Sequence, residues 1–280
     1  ATQQGGDLPW GEQYYLEWLP DVVRELDPTR PYTEGSPWSG GWAHDPNDAD
    51  HQTFHSWDAW NEDDYAVYRD SSPRFVSEFG WQGAAAWRTL RDAVSDPELH
   101  IESENVRHHQ KAIDGHAKLA RNLARHLPAT ADFDRWHLQT QWMQVEAVRT
   151  GVLHWRASWP RTAGTILWQL NDLWPVTSWS AVDSAGRCKP LYFALRDMYE
   201  PRVLTIEPSD DALELCVIND EDHAWEGTVQ LTRRRADGAQ VAERSYAVSV
   251  APRSVRVEII STGMGRRRIR RPRKSMPSMR

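Results

Sequence analysis

The feature that most constrains the fold is a change in the sequence pattern near residue 200. Between residues 10 and 200, short apolar runs typical of β-strands alternate with longer stretches in which apolar residues recur every three or four positions. Such alternation predicts an α/β unit with a parallel sheet. After Pro201 the helical periodicity ends, and short β-rich runs separated by turn residues predict a small β-sandwich of the immunoglobulin-like kind.

The pattern within residues 1–200 predicts half of a (β/α)8 barrel. Four strands and their helices account for half of such a ring, which needs about 250 residues when complete. The last strand is apolar throughout and is therefore expected to be buried on both faces. The predicted strands cover 30–38, 52–57, 74–79 and 165–170, and the predicted helices cover 11–26, 58–68, 84–94, 102–126, 132–158 and 190–199.

The sandwich is expected over 201–260, where β-rich runs cover 204–206, 212–218, 227–232, 245–250 and 254–260. The basic segment 261–280, which is poor in apolar residues, is expected to be a disordered tail. The sequence thus predicts two domains and a tail.

The charge and the tryptophan content indicate which classes of ligand to expect. Segment 261–280 holds eight basic residues and no acidic one, so the net charge of −7 becomes −15 for residues 1–260. A body this acidic repels phosphate backbones, which excludes nucleic acid as the expected partner. The chain also holds 16 tryptophans, and an excess of indole in an acidic body favours an uncharged ligand with flat apolar faces, such as a sugar.

Neither an apolar run of about 18 residues nor a secretory signal is visible, so no membrane association is expected and a cytoplasmic location is the default expectation. The two cysteines, Cys188 and Cys216, are too few for a disulfide framework.

A glutamate at the end of a β-rich run is the sharpest chemical signal. Glu78 lies at the end of an apolar run that Gly80 closes, so it is expected at the carboxyl end of a strand, where barrel enzymes place reactive groups. Burying an ionised carboxylate is costly unless it is paired or used in chemistry. From the residues alone, a catalytic carboxylate and a strand-end glutamate in a salt bridge both remain open.

Candidate sugar-binding side chains follow two other strands. His55 and Trp57 are two residues apart and so share a face of their strand, while Trp168 and Asn171 follow the strand that begins at Thr165. An aromatic plate beside groups that bond hydroxyls is typical of sugar pockets. Core tryptophans and a structural histidine are the alternatives.

No metal or cofactor is expected. His44, Asp45, Asp48, Asp50, His51 and His55 form a metal-like cluster in the sequence. Their spacing matches no known ligand pattern, however, and polar loops often have this composition. Glycine-rich phosphate loops and nucleophile elbows are absent as well.

Taken in order, these motifs resemble the C-terminal half of a β-mannosidase of glycoside hydrolase family 2. The matching stretches lie at 14–31, 34–40, 73–82 (PRFVSEFGWQ) and 168–180 (WQLNDLWPVTSWS), and the resemblance spans roughly residues 8–260. It implies barrel strands five to eight and a retaining exo-hydrolase that removes terminal β-D-mannose from oligosaccharides. It further implies that Glu78 is the nucleophile, that Trp168 is the floor of the sugar site, and that His55 and Trp57 form a wall.

The chain departs from this family in one respect. The family's acid/base glutamate belongs to an Asn-Glu pair at the end of the fourth strand, whereas the Asn61-Glu62 pair of this chain is expected at a helix start. The resemblance therefore implies a fragment that lacks its proton donor, whose partner is the missing N-terminal part of the same enzyme. Because half a barrel exposes sheet edges and an apolar face, the 280 residues alone are expected neither to fold stably nor to turn over mannosides well.

Two alternatives stay open: another exo-glycosidase of the same family, such as a β-galactosidase or an exo-glucosaminidase, and a non-catalytic carbohydrate-binding protein. The axial 2-hydroxyl of mannose is selected by residues that lie partly outside this chain.

Overall fold

The computed structural model describes residues 11–41, 44–209 and 212–260. It divides the chain into two compact units, with the boundary between Tyr199 and Glu200. The first unit mixes helices with a parallel sheet, and the second contains antiparallel sheets, which confirms the predicted order of an α/β part followed by a β part. The predicted basic tail 261–280 lies outside the described residues.

The helices of the first unit lie where the sequence pattern predicts them, but two predictions are wrong in part. The predicted helix 102–126 is two helices separated by residues 109–114, and the predicted helix 58–68 is a short α-helix followed by a 3-10 helix. A π-helical segment, Tyr14–Trp18, continues into α1, which ends where the Asp27-Pro28 step disfavours the helical conformation. Helix α6 begins at the Asp132 cap, whose carboxylate accepts the Arg135 N–H at 2.8 Å. The helices are α1 Leu19–Leu26, α2 Asp58–Asn61, a 3-10 helix Tyr65–Asp70, α3 Trp87–Ala93, α4 Glu104–His108, α5 Gly115–Ala124, α6 Phe133–Ala157 and α7 Pro190–Met198.

Three strands form the parallel sheet of this unit, in the order β1 (Phe54–Ser56), β2 (Val76–Phe79) and β3 (Thr165–Leu167). The predicted strand over 30–38 is wrong, because the described segment contributes a single antiparallel bridge between Trp38 and Thr53. Two prolines and a glycine in that stretch prevent a continuous ladder.

The prediction that the last strand is buried on both faces is also wrong. Strand β3 ends at Leu167, three residues short of the predicted end, and its central Ile166 is 55% exposed. It pairs with β2 alone and lies at the edge of the described sheet, so no neighbour covers that side chain.

Aromatic side chains fill the core of the first unit. Trp60, Tyr68, Phe79, Trp81 and Trp155 are at most 1% exposed and pack edge to face with ring centroids 4.8–6.0 Å apart. These contacts join the sheet to α2, the 3-10 helix and α6. The sheet rim above them therefore rests on rigid, well-packed elements.

The second unit has a smaller, aliphatic core. One sheet has the order β4 (Arg202–Pro208), β5 (Leu213–Asn219), β8 (Ser254–Ile260), and the other is the hairpin of β6 (Trp225–Arg234) and β7 (Gln240–Val250). Their shared core consists of Leu215, Val217, Val229, Val248, Val250 and Ile260. Among the described residues, no helix has the length and apolarity needed to cross a membrane.

Candidate active site

The carboxyl ends of the three parallel strands bring the predicted site residues to one rim. Trp57 directly follows β1, Glu78 lies near the end of β2, and Trp168 directly follows β3. Since parallel strands end at the same edge of their sheet, the order β1-β2-β3 places Glu78 between the other two. This edge is where reactive groups gather in α/β folds.

A bulge in β2 sets the direction of Glu78. Phe54 is opposite Val76 and His55 is opposite Glu78, so Ser77 is an extra residue on the β2 side of the ladder. Bulges of this kind redirect side chains next to sites. The Glu78 side chain remains 30% exposed, and that of His55 14%.

One carboxylate oxygen of Glu78 faces two nitrogen atoms from the β1 side. The indole Nε1–H of Trp57 donates to Oε2 at 3.0 Å, and Nδ1 of His55 lies 3.4 Å from the same oxygen. Within the described ranges, no lysine or arginine pairs with this carboxylate.

The second ring nitrogen of His55 is engaged as well. Its Nε2 lies 2.7 Å from Ser36 Oγ, which lies 2.8 Å from Ser77 Oγ. Burial lowers the pKa of the imidazole below its usual value, and the negative charge of Glu78 partly opposes that effect. Sequence reasoning missed both serines, because Ser36 belongs to an irregular loop and because neighbouring side chains on a regular strand, such as those of Ser77 and Glu78, point to opposite faces.

The Trp57 ring is held in place by other indoles. Trp179 packs against Trp57 edge to face at 5.9 Å and against Trp60 at 6.2 Å. Trp60 in turn contacts the buried Trp81 at 5.5 Å. This indole chain fixes one wall of the rim and connects it to the core.

The β3 side is built differently. The backbone N–H of Trp168 donates to Phe79 O at 2.9 Å, and its side chain is 43% exposed. Gly80 permits this approach, because a Cβ at that position would lie 2.2 Å from Trp168 O. Asn171 is exposed, and within the described part of the chain no hydrogen bond joins it to Glu78, His55 or Trp57.

A buried polar network underlies this loop. One oxygen of Asp172 accepts hydrogen bonds from Ser178 Oγ and Ser180 Oγ, both at 2.6 Å. The Lys189 ammonium is fully buried and donates to Gly83 O at 2.9 Å. Burial lowers the pKa of Lys189 to about 7, although Asp172 and Asp183 oppose the shift. Sequence reasoning missed Lys189, because its burial depends on contacts with the loop after β2.

Three donors of the metal-like cluster come together. Single ligand atoms of His44, Asp48 and His51 lie within 4.8 Å of one another, the two rings stack at 4.4 Å, and the His51–Asp48 pair is 3.1 Å apart. His44 is exposed, and Asp48 and His51 are half-buried. Within 11–41, 44–209 and 212–260, this is the cluster of histidine and acidic side chains that could hold a metal.

The Asn61-Glu62 pair lies at the end of a short helix. Asn61 is the last residue of α2 and Glu62 is its exposed C-cap, so the expectation of a helix start is wrong. The expectation that this pair is not at a strand end is correct.

A carboxylate at a parallel-sheet rim with flanking indoles is typical of carbohydrate-active α/β proteins, and comparison with known proteins makes the relationship specific. The chain is 30% identical over 262 residues to a β-mannosidase B of Neosartorya fischeri. The aligned region covers 85% of this chain and 30% of that protein. A β-mannosidase B of Aspergillus flavus is 33% identical over 195 residues, covering 67% of this chain and 23% of the relative. No protein-family profile matches the chain.

Two solved structures resemble this chain to different degrees. A β-D-mannosidase from Dictyoglomus thermophilum superposes with a TM-score of 0.82 at 30% identity, over 90% of this chain and 31% of that one. The exo-chitosanase CsxA of Amycolatopsis orientalis gives a TM-score of 0.58 at 20% identity over 71% of this chain and 25% of its own, which shows likeness of fold alone.

The chain is thus related to the β-mannosidases of glycoside hydrolase family 2, as its motifs implied. It spans about 30% of the length of the curated relatives it matches.

Proposed function

We propose that this chain carries the nucleophile half of a retaining exo-β-mannosidase site, with Glu78 as the nucleophile. The observation that supports this most directly is the position of its carboxylate, which lies at the sheet rim between an indole wall and Trp168, with one oxygen bonded to Trp57 at 3.0 Å. The β-mannosidase relatives make a terminal β-D-mannose the favoured substrate.

The chemistry requires a free carboxylate oxygen. Since Oε2 receives the Trp57 N–H and faces His55, Oε1 is the oxygen that bonds to C1 of the sugar. The bond from C1 to the leaving oxygen breaks, and the leaving group takes that electron pair together with a proton from an acid. The same acid, now deprotonated, takes a proton from water as the water oxygen bonds to C1, and the ester bond breaks to release Glu78 as a carboxylate.

The flanking aromatic residues suit a pyranose. Trp168, with its side chain 43% exposed at the rim, offers an apolar face to the C–H face of the ring, and Trp57 forms the wall. His55 and Asn171 are the proposed polar contacts to sugar hydroxyls.

The proposal extends to the parts of the relatives that this chain does not span. A retaining site needs a second carboxyl group about 5–5.5 Å from the first, and we assign that acid to the remaining length of the enzyme. In the same way, the parallel sheet of the first unit is half of a (β/α)8 barrel, and the second unit is an immunoglobulin-like sandwich.

An activated fluoro-sugar tests the nucleophile without needing the acid. A 2,4-dinitrophenyl 2-deoxy-2-fluoro-β-D-mannoside releases dinitrophenolate, which leaves without protonation, so Glu78 can form the covalent ester by itself. Intact-mass analysis is expected to show one added fluoro-mannosyl group, and peptide mapping is expected to place it on Glu78.

Two variants and two sugars control this experiment. Glu78→Gln should abolish the adduct. Glu62→Gln, which changes the glutamate of the Asn61-Glu62 pair, should leave the adduct unchanged. If the galacto- or gluco-configured 2-deoxy-2-fluoro analogue labels the chain as fast as the manno analogue does, a different exo-glycosidase would be favoured. Mannose binding without an adduct would favour a non-catalytic sugar-binding protein.

A further inference from the structure

The loop before β1 brings three metal-binding side chains together. The spacing of His44, Asp48 and His51 in the sequence matches no known ligand pattern. In the structure, however, one ligand atom of each residue lies within 4.8 Å of the other two. Turns in the loop produce this approach, because the Asp48 N–H donates to Asp45 O at 3.1 Å and the His51 N–H donates to Asp48 O at 3.2 Å.

The separation of these atoms is close to that of donors on one ion. Zinc binds histidine nitrogen and carboxylate oxygen at about 2.0–2.2 Å, so two donors of a tetrahedral site lie about 3.4 Å apart. His51 Nδ1 and Asp48 Oδ2 are 3.1 Å apart, which is near this value. The His44 ring stacks on that of His51 at 4.4 Å, and because His44 is exposed it can rotate toward the same point.

A buried nitrogen in this cluster is not satisfied by the protein. Over the residues that the structure describes, Nδ1 of His51 is buried and makes no hydrogen bond of ordinary geometry, although Asp48 Oδ2 is 3.1 Å away. Leaving a buried polar atom unpaired is costly. A cation bound to both atoms would satisfy the nitrogen and the carboxylate together.

The type of donor indicates which cation fits. Two imidazoles and one carboxylate suit zinc and similar transition metals, whereas calcium and magnesium prefer oxygen donors alone. The Asp50 N–H donates to Asp48 Oδ1 at 2.9 Å, which orients the carboxylate and leaves Oδ2 on the side of His51. The charge of −15 on residues 1–260 attracts cations in general.

We propose that His44, Asp48 and His51 form a zinc site that closes the loop before β1, with water in the remaining position. None of the three residues belongs to the proposed catalytic or sugar-binding set, so this inference does not rest on the proposed function.

The role of this ion is structural. It joins the two ends of segment 44–51, and a clip of this kind restricts the conformations of the loop. Asn47 lies inside the segment, donates from Nδ2 to His55 O at 2.9 Å and accepts the His55 N–H at 2.7 Å. Closing the loop therefore holds Asn47 against the backbone of β1.

A cobalt titration tests the site without any activity measurement. The full chain, free of tags and treated with a chelator, is titrated with Co²⁺ in sucrose, which favours the native state. We expect a visible absorption band that saturates at one ion per chain. Equimolar Zn²⁺ should displace the band, whereas Mg²⁺ and Ca²⁺ should not.

Variants identify the ligands. Changing a residue that only supports a ligand typically lowers metal affinity by about 10- to 100-fold, so His51→Gln and Asp48→Asn, which remove ligands, should each lower it by about 100-fold or more. His126→Gln is the matched control, because His126 Nε2 also bonds a carboxylate, that of Asp64. In the part of the chain that the structure describes, no second histidine completes that pair, so Co²⁺ affinity should stay within about twofold.

The wild-type titration decides the inference even if a variant does not fold. Absence of a saturating band would overturn it, and so would equal affinity in concentrated urea, since an unfolded chain does not hold three donors together. Equal losses in His51→Gln and His126→Gln would also overturn it. A urea midpoint that Zn²⁺ raises in the wild type but not in His51→Gln would support it. A fluoro-mannosyl adduct without a cobalt band would contradict the zinc site and leave the proposed function in place.

Discussion

The two sides of Glu78 hold their aromatic residues by different means. On the β1 side, Trp57 and His55 contact the carboxylate directly. On the β3 side, Trp168 is fixed through its backbone, by Phe79 O and the space that Gly80 leaves. Beneath that loop, Asp172 and Lys189 are buried.

The two sides therefore have different roles, because the β1 side orients Glu78 and the β3 side supports the loop that carries Trp168. The β1 side chains determine how Glu78 points, so changes there should affect reactivity more than stability. The β3 side depends on buried polar groups that are costly to disrupt, so changes there should affect folding before they affect reactivity. The following predictions test this division, and all unfolding measurements use trimethylamine N-oxide to favour the native state.

The largest effect on stability is expected for Lys189→Met. It removes the buried hydrogen bonds from Lys189 Nζ to Gly83 O and Ser178 O, so the free energy of unfolding should fall by about 3 kcal/mol. Urea denaturation measures this. The matched variant Lys118→Met, whose ammonium bonds Asn61 Oδ1 at an exposed position, should change the value by less than about 1 kcal/mol. Equal losses in both variants would show that the β3 loop does not depend on its buried lysine.

A smaller effect, on reactivity, is expected for Trp57→Phe. The ring remains, but the hydrogen bond to ionised Glu78 is lost, and such bonds contribute about 1.5–3 kcal/mol. The rate of fluoro-mannosyl labelling should fall by about 10- to 100-fold. Trp168→Phe removes no bond to Glu78 and should lower the rate by less than about threefold, since its ring is exposed. Similar losses for both indoles would remove the contrast between the two sides.

The close approach of β2 and the β3 loop is tested by Gly80→Ala. The new Cβ would meet Trp168 O at 2.2 Å, so the strand ends must separate, at a cost of about 1–3 kcal/mol in unfolding free energy. Gly227→Ala in β6 is the control, because the nearest atom to its Cβ is the side-chain Nε1 of Trp225 at 3.8 Å. An unchanged Gly80→Ala variant would indicate a wider gap between the strands.

A pH dependence of the stability is also expected. Burial lowers the pKa of Lys189 to about 7 in the folded state, below its value of 10.5 in the unfolded state. Between these values the unfolded chain binds more protons, so the free energy of unfolding should rise with pH. Relative to Lys189→Met, the wild type should gain up to about 1.4 kcal/mol per pH unit above pH 7. A flat difference between pH 7 and pH 9 would contradict a buried, neutralising lysine.

The sequence predicted the order of elements well where local patterns determine them. The Asp132 cap and the apolar period defined α6 to within two residues at each end, and the prolines after Leu26 and before Leu191 bounded helices correctly. It failed for 30–38, because an apolar run with prolines satisfies a strand pattern without supplying the N–H groups of a ladder.

Some residues of the candidate site were predicted from the sequence, and others were missed. Spacing by two residues along one strand brought His55 and Trp57 to Glu78, and that proximity is found in the structure. Their catalytic and binding roles, like those of Trp168 and Asn171, stay predictions. Ser36 and Lys189 had no sequence signal, since each acquires its partner from a distant loop.

By itself, the sequence determined that this chain alternates helices with strands up to residue 200 and then turns to β-structure, because periodicity and prolines act over a few residues. It also determined which glutamate ends a strand. Only the tertiary structure decided that a bulge at Ser77 turns Glu78 toward His55, and that a lysine is buried beneath the β3 loop. Register and burial depend on which segments meet, and no local pattern encodes that meeting.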